Sequence, residues 1–142
     1  MIEIRLFSLF SLVEMFMDIR CVNSLVLAYL GDAVYEEYIR MYLTRKKINK
    51  VNDLQKESIN YVSAKRQAYF LDKMLDSDFF NDDEISVIKR ARNCKSHSNP
   101  KGCSVIEYKK ATALEALIGY LKLSNKSVRI NEIMEYIVEG LC

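Results

Sequence analysis

Large apolar residues recur at three- and four-residue steps along most of the chain, and no useful stretch alternates apolar with polar. That spacing is helical rather than strand-like. It predicts helices over about 3–17, 22–43, 53–75, 82–92, 109–123 and 129–141. Asn52-Asp53-Leu54-Gln55 and Asn81-Asp82-Asp83-Glu84 both have the form of a helix start, a short polar cap with Gln or Glu three positions on. Ser124–Ser127 is a short connector, and 93–108, with Ser96, Ser98, Asn99, Pro100 and Gly102, is the longest loop. The expected class is all-α, a single domain over 1–142 with a poorly defined N-terminal extension over 1–21.

Two of these helices depart from an ordinary amphipathic pattern. "LVLAYLGDAVY" and "ATALEALIGYL" are apolar nearly all round, which predicts burial. Each nevertheless carries a carboxylate at its centre, Asp32 and Glu115. Gly31 beside Asp32 is a further oddity, because glycine costs a helix about 1 kcal/mol relative to alanine.

Composition adds little to the fold but narrows the function. The 142 residues are 50% apolar and 28% charged, with one proline and four glycines, as in a helical globular domain. The net charge of +2 hides its distribution. Arg40–Lys50 holds Arg40, Arg45, Lys46, Lys47 and Lys50 with no acid, and Lys89–Lys110 holds seven basic residues against Glu107 alone. Two basic blocks in a near-neutral chain point to an anionic partner. Cys21, Cys94, Cys103 and Cys142 have no Cys-x-x-Cys spacing, and His97 is the only histidine. A zinc site or a disulfide framework is therefore not expected, and reduced thiols in the cytoplasm are. "IRLFSLFSLVEMFMD" is interrupted by Glu14 and too short to span a membrane, so an amphipathic first helix and no membrane association are expected. Met15 and Met17 stand beside Met1 as possible starts.

The chemistry lies with the carboxylates. His97 sits between loop serines with no carboxylate nearby to orient it, and there is no glycine-rich phosphate loop. Taken singly, Asp32 or Glu115 is explained by a structural ion pair or a helix-end hydrogen bond. Taken together they suggest more. Ala28 and Gly31 flank Asp32, and Thr112, Ala116 and Gly119 surround Glu115, so two helix backbones can approach and bring the acids face to face. Two carboxylates sharing a dry site need a raised pKa or a cation. Mg²⁺ or Mn²⁺, with their preference for oxygen ligands, would resolve the repulsion. Such a site beside basic blocks suits hydrolysis of a phosphodiester.

These residues carry a resemblance. "LAYLGDAVYE" resembles the signature helix of ribonuclease III catalytic domains, and "ATALEALIGYL" resembles their second acidic helix. "NDLQKESINYVSAKRQA", "KRARNCKS", "NPKG" and "EYKKATALEALIGYL" are similar, in the same order, to segments of the small bacterial subgroup, mini-ribonuclease III, which lacks a double-stranded-RNA-binding domain. The resemblance covers about 22–123. It implies an all-helical homodimer that cuts both strands of double-stranded RNA with Mg²⁺. For the mini subgroup it implies maturation of 23S ribosomal RNA precursor ends, leaving 5′-phosphate and 3′-hydroxyl, with a pre-ribosome or ribosomal protein as a further partner.

Asp32 and Glu115 match the family's essential acids and are the expected catalytic and metal-binding residues. In the larger enzymes further acids stand one turn earlier; here those positions are Ala28 and Thr112. Thr112 and Glu36 are candidates for the outer shell of the metal, although Glu36 has an equal reading as an ion pair to Arg40. RNA contacts are expected from Lys89, Arg90, Arg92, Lys95 and Lys101, and from Ser63, Lys65, Arg66 and Gln67. Stem selection is expected of loop 93–108. Tyr29 and Leu30 add apolar area beside Asp32 and are the expected dimer contacts. A catalytically inactive RNA-binding protein on this fold, and a helical protein-interaction module, are the competing readings.

Overall fold

The computed structural model describes residues 22–95 and 101–140. The first expected helix and the whole of residues 96–100, with His97, lie outside them. Among the described residues, six helices follow one another: α1 (Ser24–Thr44), α2 (Val51–Val62), α3 (Ala64–Asp76), α4 (Asp82–Arg92), α5 (Val105–Leu123) and α6 (Ser127–Glu139). The described residues contain no strand, so the all-α expectation holds.

The architecture is set by α5. It packs against α1, α3, α4 and α6. Ala113, Leu114, Ala116, Leu117, Ile118, Gly119 and Leu121 are all buried, so it is covered on nearly every side. Helix α1 is different. Its buried positions form one stripe, Leu27, Ala28, Gly31, Tyr35, Ile39 and Leu43. Leu25, Val26 and Tyr29 are left exposed. The all-round burial expected of α1 is therefore not met among the described residues.

Glycines bring α1 and α5 together. A Cβ at Gly31 would overlap the backbone carbonyl of Glu115, and one at Gly119 would overlap that of Leu27. The two helices thus cross backbone against backbone, an approach no other residue permits at either position. The helix cost of Gly31 has its reason here.

The expected single helix over 53–75 is two. Ser63 adopts extended backbone (ψ 149°) and serves as C-cap of α2 and N-cap of α3. Its hydroxyl accepts from the Arg66 N–H. The carbonyls freed at the end of α2 are claimed from elsewhere. The Tyr35 hydroxyl donates to Tyr61 O at 2.6 Å, and Arg66 Nε donates to Asn60 O at 3.1 Å. A break between two helical runs of matching period leaves no mark on the periodicity, which is why it was not expected. The start of α2 also differs: it begins at Val51 after Lys50, with no side-chain cap.

Helix α4 begins as expected, with Asn81 and Glu84 forming a reciprocal capping box. Helix α5 starts four residues early, because Ser104 and Glu107 form a second such box. The loop accordingly ends at Ser104 rather than 108. Among the described residues, no helix is long and apolar enough to cross a membrane.

Candidate active site

Asp32 lies one residue after the glycine at the α1–α5 crossing, and Glu115 supplies the carbonyl that Gly31 faces. The close crossing therefore brings the two acids to one place. They line a cavity of about 420 Å³ with Leu25, Ala28, Tyr29, Gln67, Tyr108 and Thr112. Helix α1 supplies one wall, the N-terminal half of α5 the second, and the start of α3, just after the Ser63 break, the third.

Electrostatics in this cavity are unfavourable to charge. Burial pushes the Glu115 carboxyl up to about 8, the negative charge of Asp32 adds to the rise, and Gln67 opposes it. Asp32 is exposed. Its carboxyl is also raised, first by partial desolvation and then by Glu36. Among the described residues, no basic side chain contributes to either shift. An acidic pair left without a cation is what an oxygen-preferring divalent ion requires. The described residues hold no cluster of three or more potential metal-ligating side chains.

Three comparisons with known proteins bear on this geometry. The family model for the ribonuclease III domain matches residues 25–126, which include both acids and the crossing. The chain belongs to the ribonuclease III family. It is similar to the Mini-ribonuclease 3 of Brevibacillus brevis, 46% identical over 130 residues, spanning 89% of this chain and 96% of that one. The Mini-ribonuclease 3 of Staphylococcus aureus is 41% identical over 120 residues, spanning 84% and 90%. A crystal structure of a Fusobacterium nucleatum protein superposes with a TM-score of 0.78 at 37% identity, covering 88% of this chain and 98% of that chain. The fold and the family are thus those the sequence motifs implied, and the chain is an endoribonuclease.

The remaining site expectations of this ribonuclease fall into distinct environments. Thr112 lines the cavity, and its hydroxyl donates to Tyr108 O at 2.9 Å. Glu36 lies outside that cavity, in an exposed 3.1 Å ion pair with Arg40. It reaches Asp32 and Glu115 only through its charge. Lys89, Arg90 and Arg92 are exposed on the last turn of α4, and Lys95 and Lys101 are exposed beyond it. The connection they flank leads into the N-terminal half of α5, which lines the cavity.

The Ser63–Gln67 group divides. Lys65 is exposed. Ser63 and Arg66 stitch the α2–α3 break, and the Arg66 guanidinium also stands 4.6 Å over the Tyr69 ring. Gln67 is buried at 1% exposure and faces the acids rather than open solvent. Tyr29, at 84% exposure, forms part of the cavity rim, whereas Leu30 is half-buried. Leu25 and Tyr108 were not anticipated as lining residues. The signal for Leu25 was available, since positions 25, 28, 29 and 32 fall on one helical face.

Proposed function

We propose that the chain is a Mg²⁺-dependent endoribonuclease that cleaves both strands of double-stranded RNA as a homodimer, with Mn²⁺ able to substitute. The observation that carries this is Glu115, a half-buried acid raised to about 8 beside Asp32 with no basic partner. Protein interiors neutralise such groups with a cation or a proton. When bound, the metal lowers the pKa of a water and offsets charge on the departing oxygen. Asp32 and Glu115 hold it from two helices fixed by the glycine crossing. Thr112 and Tyr108 shape the wall above them. Lys89, Arg90, Arg92, Lys95, Lys101 and Lys65 supply phosphate contacts. Duplex RNA is read mainly by phosphates and 2′-hydroxyls, so charge and shape suffice to seat it.

The dimer rests on the exposed apolar residues Leu25, Val26 and Tyr29 of α1, with Val105 and Ile106 at the start of α5. A second copy covering them would account for the apolar face of α1 that the described residues leave open. The resemblance of the sequence motifs to mini-ribonuclease III implies the 23S ribosomal RNA precursor stem as the substrate, in the cytoplasm. Exposed Lys95 and Lys101, at either end of residues 96–100, support a part for loop 93–108 in stem selection.

The test is a long RNA duplex incubated with the protein, with and without Mg²⁺, beside Asp32→Asn. Cleavage by the unaltered protein with metal alone, yielding 5′-phosphate ends, is expected. Equal cutting by Asp32→Asn refutes the assignment of Asp32. Accumulation of unprocessed 23S precursor on depletion of the protein tests the substrate.

A further inference from the structure

Among the described residues, Gln67 Nε2 is the one buried side-chain nitrogen or oxygen without a hydrogen-bond partner. Buried polar groups are paired in the great majority of cases, so an orphan in a well-packed helix asks for an explanation. The backbone at Gln67 is conventional, its N–H donating to Ser63 O at 2.9 Å. Its neighbours Ala68, Phe70 and Leu71 are buried core. A leucine or methionine would serve such a position at no polar cost. The amide instead opens on the cavity that holds Asp32 and Glu115. The Ser63 break places it there: a continuous helix over 53–75 would run past the cavity in a different direction.

What the amide faces narrows its role. Nε2 can only donate, and the nearby groups in need of donors are carboxylates. Gln67 already favours the charged form of Glu115, yet Nε2 meets no acceptor in full hydrogen-bonding geometry. At 1% exposure it is set back from RNA docked over the rim. We propose that Gln67 is a positioning residue for Glu115, its buried amide donating to one carboxylate oxygen and so turning the other towards the metal and the reacting phosphate. The inference rests on the metal-dependent reading above. Groups that orient a metal's ligands in this way, when removed, typically weaken metal binding or activity about 10- to 100-fold.

Gln67→Met tests this, because methionine keeps the unbranched shape and removes the donor. Four quantities are compared with the unaltered protein: thermal midpoint, affinity for an uncleaved RNA duplex in Ca²⁺, Mn²⁺ affinity from the paramagnetic resonance of free Mn²⁺, and the Mg²⁺ concentration giving half-maximal cleavage. The expected result is an unchanged or higher midpoint, unchanged RNA affinity, about tenfold weaker Mn²⁺ binding and a comparable rise in the Mg²⁺ requirement. Unchanged Mn²⁺ binding and Mg²⁺ requirement overturn the proposal. So does a lowered midpoint, which makes Gln67 a packing residue, or weakened RNA binding alone, which makes it an RNA contact. Glu115→Gln serves as the reference. If it binds Mn²⁺ as tightly as the unaltered protein, the metal reading itself fails, independently of Gln67.

Discussion

Two glutamates sit inside this fold, and they are treated in opposite ways. Glu84, 1% exposed, is fully answered. Its Oε1 accepts from the Asn81 N–H at 3.0 Å and from Arg129 Nη2 at 2.9 Å, and its Oε2 accepts from Arg129 Nε at 2.8 Å. The same arginine donates to Phe79 O and to Glu132, tying α6 to the start of α4. Glu115, on the central helix, has no arginine or lysine among the described residues, only an amide on one side and another carboxylate on the other. A fold that pairs one buried acid so thoroughly shows that its chemistry can do so. The absence of such an ion pair at Glu115 is what supports the proposed role for it in the site rather than in the frame. The capping and arginine bonds make Glu84 part of the frame.

The largest effect that would break this contrast is catalytic. Glu115→Gln is expected to lower duplex cleavage by about 10³-fold or more, a loss of roughly 4 kcal/mol in transition-state stabilisation. Its thermal midpoint at pH 8 should not fall, because an unpaired charge has been removed. Glu84→Gln should do the reverse. Breaking a buried ion pair from one side costs about 3–5 kcal/mol when the remaining charge is stranded. Arg129 retains Glu132 and the Phe79 carbonyl, which places the expected loss near the lower figure, about 3 kcal/mol. Denaturant unfolding measures it, and cleavage per folded molecule should stay within a few-fold. A catalytically dead but stable Glu84→Gln would erase the distinction.

The pH dependence of stability sharpens it. Glu115 stands at about 8 in the folded chain against 4.5 ordinarily. Between those values the folded chain keeps a proton that the unfolded chain has released, so stability falls as pH rises. The contribution is full below about pH 4.5 and is lost as pH approaches about 8. The slope is at most about 1.4 kcal/mol per pH unit, for a total of a few kcal/mol. The difference between metal-free unaltered protein and Glu115→Gln, measured by urea unfolding from pH 5 to 8.5, should show this decline. Added Mg²⁺ should reverse it, because metal binds the deprotonated form. A flat difference would mean that Glu115 has a partner after all.

How much of this was readable in the chain follows from what each feature depends on. The helical class, the α4 start at Asn81 and the pairing of Asp32 with Glu115 depend on local pattern and on small residues at helical spacing, and these are written in the sequence. The glycine crossing was foreseeable for the same reason, since Gly31 in an apolar helix has few other uses. The Ser63 break was not legible. It is stabilised by Tyr35, on another helix, and by Arg66, whose basic side chain reads equally well as an RNA contact. Gln67 was misplaced with the surface residues because its burial follows from that break. The all-round burial expected of α1 was not legible as partial, because periodicity cannot tell a face that the described residues cover from one they leave open.

The smallest expected effect concerns a third carboxylate, Glu36, which stands between the two extremes. It is paired with Arg40 like a structural acid, yet its charge raises both Asp32 and Glu115 like a member of the site. An exposed pair of this kind contributes about 0.3–0.5 kcal/mol, so Glu36→Gln should scarcely change stability. Removing its negative charge makes Asp32 and Glu115 easier to deprotonate, so the acidic limb of the cleavage profile should move to lower pH. At saturating Mg²⁺ and pH 8 the rate should stay within a few-fold, because both acids are then held deprotonated by the metal. A loss of about 100-fold instead would place Glu36 among the groups that hold the metal's water shell, and the exposed ion pair with Arg40 would then have to open during the reaction.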